Sequence, residues 1–126
     1  MDAKKRKILI IEDEEDIREI LKEFFEGEGY SVFTAVNGKD AFRILDEVNI
    51  PHLILVDLMM PIMSGEEFIE KRNVHPLYSK IPTVIMSADH RTMAKAQALG
   101  IKHAINKPLE LSNLMAIVDD LFLESV

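Results

Sequence analysis

The sequence contains no cysteine, which removes disulfides, thiolate catalysis and cysteine-ligated zinc together and suits a reducing compartment. Basic residues are in deficit, 15 against 22 acidic ones for a formal charge of -7. The chain therefore opposes the phosphate backbone of a nucleic acid, and direct nucleic-acid binding is disfavoured. No apolar stretch approaches the ~20 residues of a membrane span, which argues against membrane insertion. The initial Lys4-Lys5-Arg6-Lys7 passes straight into a strand, without the apolar region and small-residue cleavage site of a secretory signal. These absences read as a cytoplasmic protein. The basic cluster reads as a solvated lead-in, with a weak contact site for an acidic partner as its alternative. His52, His75, His90 and His103 lie on loops and element ends without ligand spacing, so structural roles are expected of them. Nor do 126 residues leave room for a second domain, although 48% hydrophobic residues are enough for one layered core. Residues 1–126 are expected to form a single domain.

What is present is a repeated punctuation. The apolar runs Ile8-Leu9-Ile10-Ile11 and Leu53-Ile54-Leu55-Val56 end in Glu12-Asp13 and Asp57, while Ser87 closes Thr83-Val84-Ile85-Met86 and Lys107 closes Ala104-Ile105-Asn106. Runs without polar interruption read as strands covered on both faces, the habit of parallel sheets. In open α/β sheets chemistry gathers beyond the carboxyl ends of such strands.

Helical patterns separate the strands. Ile17, Ile20, Leu21, Phe24 and Phe25 recur on one helical face until Gly27 and Gly29 stop them. Ser31 to Val36 reads as the second strand, Asn37 as the cap of a helix burying Ala41, Ile44, Leu45 and Val48, and Pro51 as the break before the third strand. Ser64 and Glu67 stand at capping-box spacing before a short helix that buries Phe68 and Ile69 and ends around Val74 to Pro76. Pro82 opens the fourth strand, and Asp89 or Ser87 is expected to cap a fourth helix that stops at Leu99-Gly100. After Pro108, Leu111, Leu114, Met115, Val118, Leu121 and Phe122 share one side of the last helix. Five strands alternating with five helices imply right-handed crossovers and an α/β, doubly wound parallel sheet. Placing the first and third strands side by side would bring Glu12, Asp13 and Asp57 within reach of one another.

Three carboxylates in one crevice repel; two charges ~5 Å apart at an effective dielectric of ~20 interact by roughly 3 kcal/mol. Either one acid takes a proton through a raised pKa, or a cation binds. An all-oxygen donor set suits a hard divalent ion, with Mg²⁺ favoured and calcium second because the EF-hand spacing is absent. Glu14, Glu15 and Asp16 extend the acidic run but fall at a helix start, where they favour the dipole and solvent. Each candidate has a plainer rival. Asp57 can cap a turn, Glu12, Asp13 and Ser87 can cap helices, Lys107 can be a surface lysine, and Met59 and Met60 can fill gaps.

Glu12-Asp13, Asp57 followed by Met60-Pro61 and Gly65, Ser87-Ala88 and Lys107-Pro108 together resemble the receiver domains of two-component response regulators, the CheY-like family. The likeness extends over essentially the whole chain. It implies the five-stranded order 2-1-3-4-5, a receiver domain without an output domain, and Asp57 as phosphoacceptor. It further implies that Mg²⁺ is held by Asp13, Asp57 and the main-chain carbonyl of Met59, and by Glu12 through water. Lys107 and Ser87 would contact the phosphoryl oxygens, and Lys107-Pro108 would be a cis peptide. The implied donors are a histidine kinase or a histidine phosphotransfer protein, and the implied output is altered affinity for a downstream protein target, with no catalysis beyond phosphotransfer and slow self-hydrolysis. Asp89 and Met59 lie near the path of an attacking water and are expected to tune the lifetime of the acyl phosphate.

One departure stands out, because Ala104 occupies the position three before the lysine where receivers often carry Tyr or Phe. The route from phosphate to partner surface is therefore expected to differ. Alternatives are a receiver that passes phosphate onward in a relay, one excised from a longer regulator or hybrid kinase, or a pseudo-receiver. A phosphohydrolase is disfavoured by Met59 where a second Asp would stand, and a flavin carrier by the acidic first loop.

Overall fold

A computed structural model of the chain describes residues 6–48 and 50–124; Lys4 and Lys5 of the basic lead-in lie outside the described residues. The elements run β1 (Lys7–Ile11), α1 (Glu15–Gly27), β2 (Ser31–Ala35), α2 (Gly38–Glu47), β3 (Leu53–Asp57), α3 (Gly65–Asn73), a 3-10 turn (Tyr78–Lys80), β4 (Thr83–Ser87), α4 (Thr92–Ala98), β5 (His103–Asn106) and α5 (Leu111–Glu124). All strand pairs are parallel, in the order β2-β1-β3-β4-β5.

Period-two alternation divides each strand between two apolar layers. Leu9, Ile11, Ile54, Val56 and Ile85 face one way, onto Ala41, Leu45, Phe68, Ile69 and Ala96 of α2, α3 and α4. Ile8, Ile10, Leu53, Leu55, Val84 and Met86 face the other, onto Leu21, Phe25, Leu114, Val118 and Leu121 of α1 and α5. Residues of β1, β3 and β4 are buried almost without exception, and each large apolar side chain so buried contributes about 1.5–3 kcal/mol. The two helical layers therefore clamp the central strands, and the ends of those strands inherit their rigidity.

The expected caps are present on two helices. Asn37 Oδ1 accepts from Asp40 N at 2.8 Å, and Ser64 Oγ accepts from Glu67 N at 3.2 Å. The fourth helix corrects the sequence reading, since neither Ser87 nor Asp89 caps it. Its N-cap is Arg91, without a side-chain cap, and the helix is only seven residues long. Asp89 Oδ1 instead accepts from Arg91 N at 2.8 Å, two residues before the cap position, because the side chains of Ser87 and Asp89 are spent on the connection from β4. Ile20, expected on the buried face of α1, is 55% exposed; it lies at the edge of the stripe, beside a groove near Lys107. The stretch after α3 that reads as a blurred helix end is an ordered connection. His75 Nδ1 accepts from the main chain of Leu77 and Tyr78, and its ring stacks on Tyr78 at 3.7 Å.

Candidate functional site

The register of the central pair creates the site. Ile11 stands opposite Val56 in the β1–β3 ladder, so Glu12 and Asp57 leave neighbouring strands at the same level. Asp57 pairs with Met86 and Ser87 with Asn106, which carries the level across β4 and β5 to Lys107. Carboxylate oxygens of Glu12, Asp13 and Asp57 all lie within 4.8 Å of one another. Glu12, Asp57 and Ser87 are buried, at 0%, 3% and 0% exposure.

Lys107 closes this cluster from the end of β5. Its Nζ lies 2.9 Å from Glu12 Oε1, 3.4 Å from Asp57 Oδ2 and 3.7 Å from Glu14 Oε1. The surface-lysine reading fails, because the side chain is only 12% exposed and its own main-chain N–H is tied to Ser87 O at 2.8 Å. The Lys107-Pro108 peptide is cis. In this arrangement the ammonium approaches Glu12 more closely than Asp57, a preference that the sequence did not indicate.

Burial pushes the Glu12 carboxyl up from its ordinary 4.5 to about 7; the Lys107 bond opposes the shift and the Asp57 charge adds to it. Asp57 is raised as well, first by burial and then by Asp13, against the pull of Lys107 and of the Met59 N–H. Burial alone would lower the Lys107 pKa, but Glu12 and Asp57 hold it above its ordinary value. For Glu12 and Asp57 the cost of burial thus shows as reluctance to ionise, offset by one ammonium. Glu12 Oε1 is paired with the Lys107 ammonium, 2.9 Å away. One ammonium among three carboxylates leaves negative charge uncompensated, and an all-oxygen donor set of that kind fits a hard divalent cation.

The loops that carry these groups are individually fixed. Glu12 and Asp13 do not cap α1 through their side chains: the N-cap is Glu14, with no side-chain cap. The Glu12 main-chain N–H donates to Ala35 O at 3.0 Å, and Glu12 Oε2 accepts from Glu14 N at 3.2 Å. Asp57 Oδ1 accepts from Met59 N at 3.3 Å, so the turn-capping role coexists with exposure to Lys107. Met59 itself is 64% exposed, not a gap filler. The loop bends at Ile62, a β-branched residue at φ 69°, a backbone position that costs such a residue about 1–2 kcal/mol. It then returns so closely that a Cβ on Gly65 would lie 2.1 Å from Asp57 O. Gly65 is required by that approach.

Ser87 Oγ accepts from Asp89 N at 3.0 Å. The Asp89 carboxylate is held by Lys95 at 2.9 Å and Arg91 at 3.5 Å, and with the Arg91 N–H these partners hold its pKa well below the usual carboxylate range. Ala104 is partly buried and packs against the apolar layer that includes Ala96 of α4. Sequence reasoning missed Arg18, whose guanidinium reaches back from α1 to the main chain of Glu12 and Asp13; on the sequence it is one more polar residue of a surface helix. Among the described residues, no cluster with histidine at metal-ligand spacing occurs and no helix is long and apolar enough to cross a membrane.

The family model described as Response regulator receiver domain matches residues 8–119, and the chain belongs to that family, the receiver domains of two-component response regulators. It is 34% identical over 119 residues to the transcriptional regulatory protein CrdR of Helicobacter pylori, an alignment covering 93% of this chain and 55% of CrdR. The chain spans about half the length of the curated relatives it matches. The signal receiver domain of a histidine kinase from Syntrophus aciditrophicus superposes with a TM-score of 0.83 at 30% identity, over 92% of this chain and 89% of that one. Chemotaxis response regulator CheY4 of Vibrio cholerae shares the fold, with a TM-score of 0.84 at 23% identity over 93% of this chain and 98% of that one.

Proposed function

We propose that this receiver acts in the cytoplasm, that it takes a phosphoryl group onto Asp57 from the phosphohistidine of a histidine kinase or histidine phosphotransfer protein, and that the modification changes its affinity for a downstream protein. The observation that carries the reading is a buried Asp57 carboxylate facing a lysine whose side chain is only 12% exposed, with two further carboxylates inside 4.8 Å. The donor set is all oxygen, and its three carboxylates exceed the single ammonium beside them, which supports Mg²⁺ as the ion. Asp13, Asp57 and the Met59 carbonyl are its proposed protein ligands, with Glu12 acting through water. When bound, the ion neutralises charge on the phosphoryl oxygens.

The protein's own groups then divide the work. An Asp57 oxygen attacks phosphorus, a P–O bond forms as the P–N bond of the donor breaks, and the departing imidazole takes up a proton. The Lys107 ammonium, already between Glu12 and Asp57, is positioned to follow an equatorial oxygen. Ser87 accepts the Asp89 N–H with its oxygen, leaving its own proton to donate to another. An apolar groove of about 230 Å³ beside Lys107, lined by Ile17, Ile20, Leu21 and Leu111 among others, gives a protein donor a surface next to the acceptor. Transmission is expected to run through the β4–α4 connection, since Ser87 and Asp89 are joined there.

Intact-mass measurement with a small phosphodonor tests the proposal. Wild type should gain one phosphoryl group only when Mg²⁺ is present, and Asp57→Asn should gain none. A gain retained by the variant, or absent from wild type, refutes it.

A further inference from the structure

The connection between β1 and α1 carries two of the three acids, and its placement depends on a residue outside the cluster. Glu12 is anchored at its N–H by Ala35 O, 3.0 Å away, and its carboxylate accepts from Glu14 N at 3.2 Å. Asp13 is different. Among the described residues, the hydrogen bond to its main chain comes from Arg18, whose Nη1 donates to Asp13 O at 3.4 Å and to Glu12 O at 2.9 Å. One nitrogen bonded to two consecutive carbonyls draws both toward the same point and so limits rotation of the peptide between them. The direction of the Asp13 side chain follows from that rotation. The guanidinium is planar and borne by the first turns of a packed helix, so little order is lost in making the contact.

We propose that Arg18 is a positioning residue for a divalent cation, holding the Glu12-Asp13 peptide so that both carboxylates converge with Asp57. This rests on the cation site proposed above. A guanidinium acting only through its charge would weaken cation binding, since it adds positive potential beside the acids. The two roles therefore predict opposite signs when the charge is removed. They also differ in selectivity, because Mg²⁺ demands near-ideal octahedral geometry whereas Ca²⁺ accepts a looser shell. A relaxed loop should penalise Mg²⁺ more than Ca²⁺.

Calorimetric titration of the full chain with Mg²⁺ and with Ca²⁺ tests the role, using Arg18→Met to keep the aliphatic stem and Arg18→Lys to keep the charge. Thermal unfolding in chelator establishes that each variant is folded. Arg18→Met should weaken Mg²⁺ binding about tenfold, the effect typical of groups that orient metal ligands, and should narrow the preference for Mg²⁺ over Ca²⁺. Arg18→Lys should weaken Mg²⁺ binding in the same direction although its charge is unchanged. Unchanged or tighter Mg²⁺ binding in a folded variant overturns the positioning role and leaves the cation site standing. Failure of wild type to bind Mg²⁺ overturns the site and the role of Arg18 with it. Should Arg18→Met fail to fold, the Arg18→Lys titration alone decides, with wild-type affinity as the refuting result.

Discussion

Glu12→Gln tests the electrostatic account of the site without touching the proposed phosphoacceptor. The substitution keeps the shape of the buried side chain, removes its charge and leaves Lys107 with Asp57 at 3.4 Å. A carboxyl moved from 4.5 to about 7 by burial corresponds to about 3 kcal/mol of stability forfeited when it ionises in the fold. Below about pH 4.5 both folded and unfolded chains hold the proton, and the effect vanishes. Between there and about pH 7 the folded protein keeps a proton that the unfolded chain has released, so stability falls as pH rises; above about pH 7 the whole cost is present. Urea unfolding followed by far-ultraviolet circular dichroism, from pH 5 to 8 in chelator, reads this directly. Wild type should lose about 2–3 kcal/mol relative to Glu12→Gln across that range, and Mg²⁺ should restore much of it to wild type by favouring the ionised carboxylates. Parallel stability curves for the two proteins would refute the assignment of the shift to Glu12.

Two further substitutions probe the loops around Asp57. Gly65→Ala places a methyl 2.1 Å from Asp57 O and 2.7 Å from Leu58 Cα; backbone atoms cannot yield as a flexible side chain would, so a loss of about 2–3 kcal/mol in urea unfolding is expected, and an unchanged midpoint would show that the loop adapts. Asp89→Ala should change the decay rate of the phosphorylated protein more than it changes the urea midpoint, although it removes the bond to Arg91 N; time courses of dephosphorylation that coincide with wild type would remove Asp89 from the path of hydrolysis.

The sheet and its acids were legible in the sequence because burial leaves an unbroken apolar run, and a charge at the end of such a run is conspicuous. Alternation within the runs was not needed to find the strands, since both faces are covered; for the same reason it could not say which residues face which helices. The resemblance supplied strand order, which periodicity does not encode. The fourth helix was misread at its start because Ser87 and Asp89 have the right chemistry for caps, whereas their bonds go to the turn preceding Arg91. Arg18 and the preference of Lys107 for Glu12 were invisible for another reason. Each depends on contacts between segments, at separations of 5 or 6 residues for Arg18 and across the sheet for Lys107, with no spacing rule to mark them. Arg72 belongs with them: it is buried, and its guanidinium donates to Ile81 O and to Asn73 Oδ1, each at 2.6 Å.

The matched ladder of β1 and β3 also restricts how this chain can diverge. Alternate side chains leave a strand on opposite sides, so losing or adding one amino acid within either strand would swing its terminal acid away by half a pleat and displace it by about 3.3 Å. Substitutions along these strands need only preserve bulk and oiliness, but their tally of residues is pinned by chemistry performed beyond their tips. Indels should therefore be tolerated in the outlying loops and selected against in these two short segments.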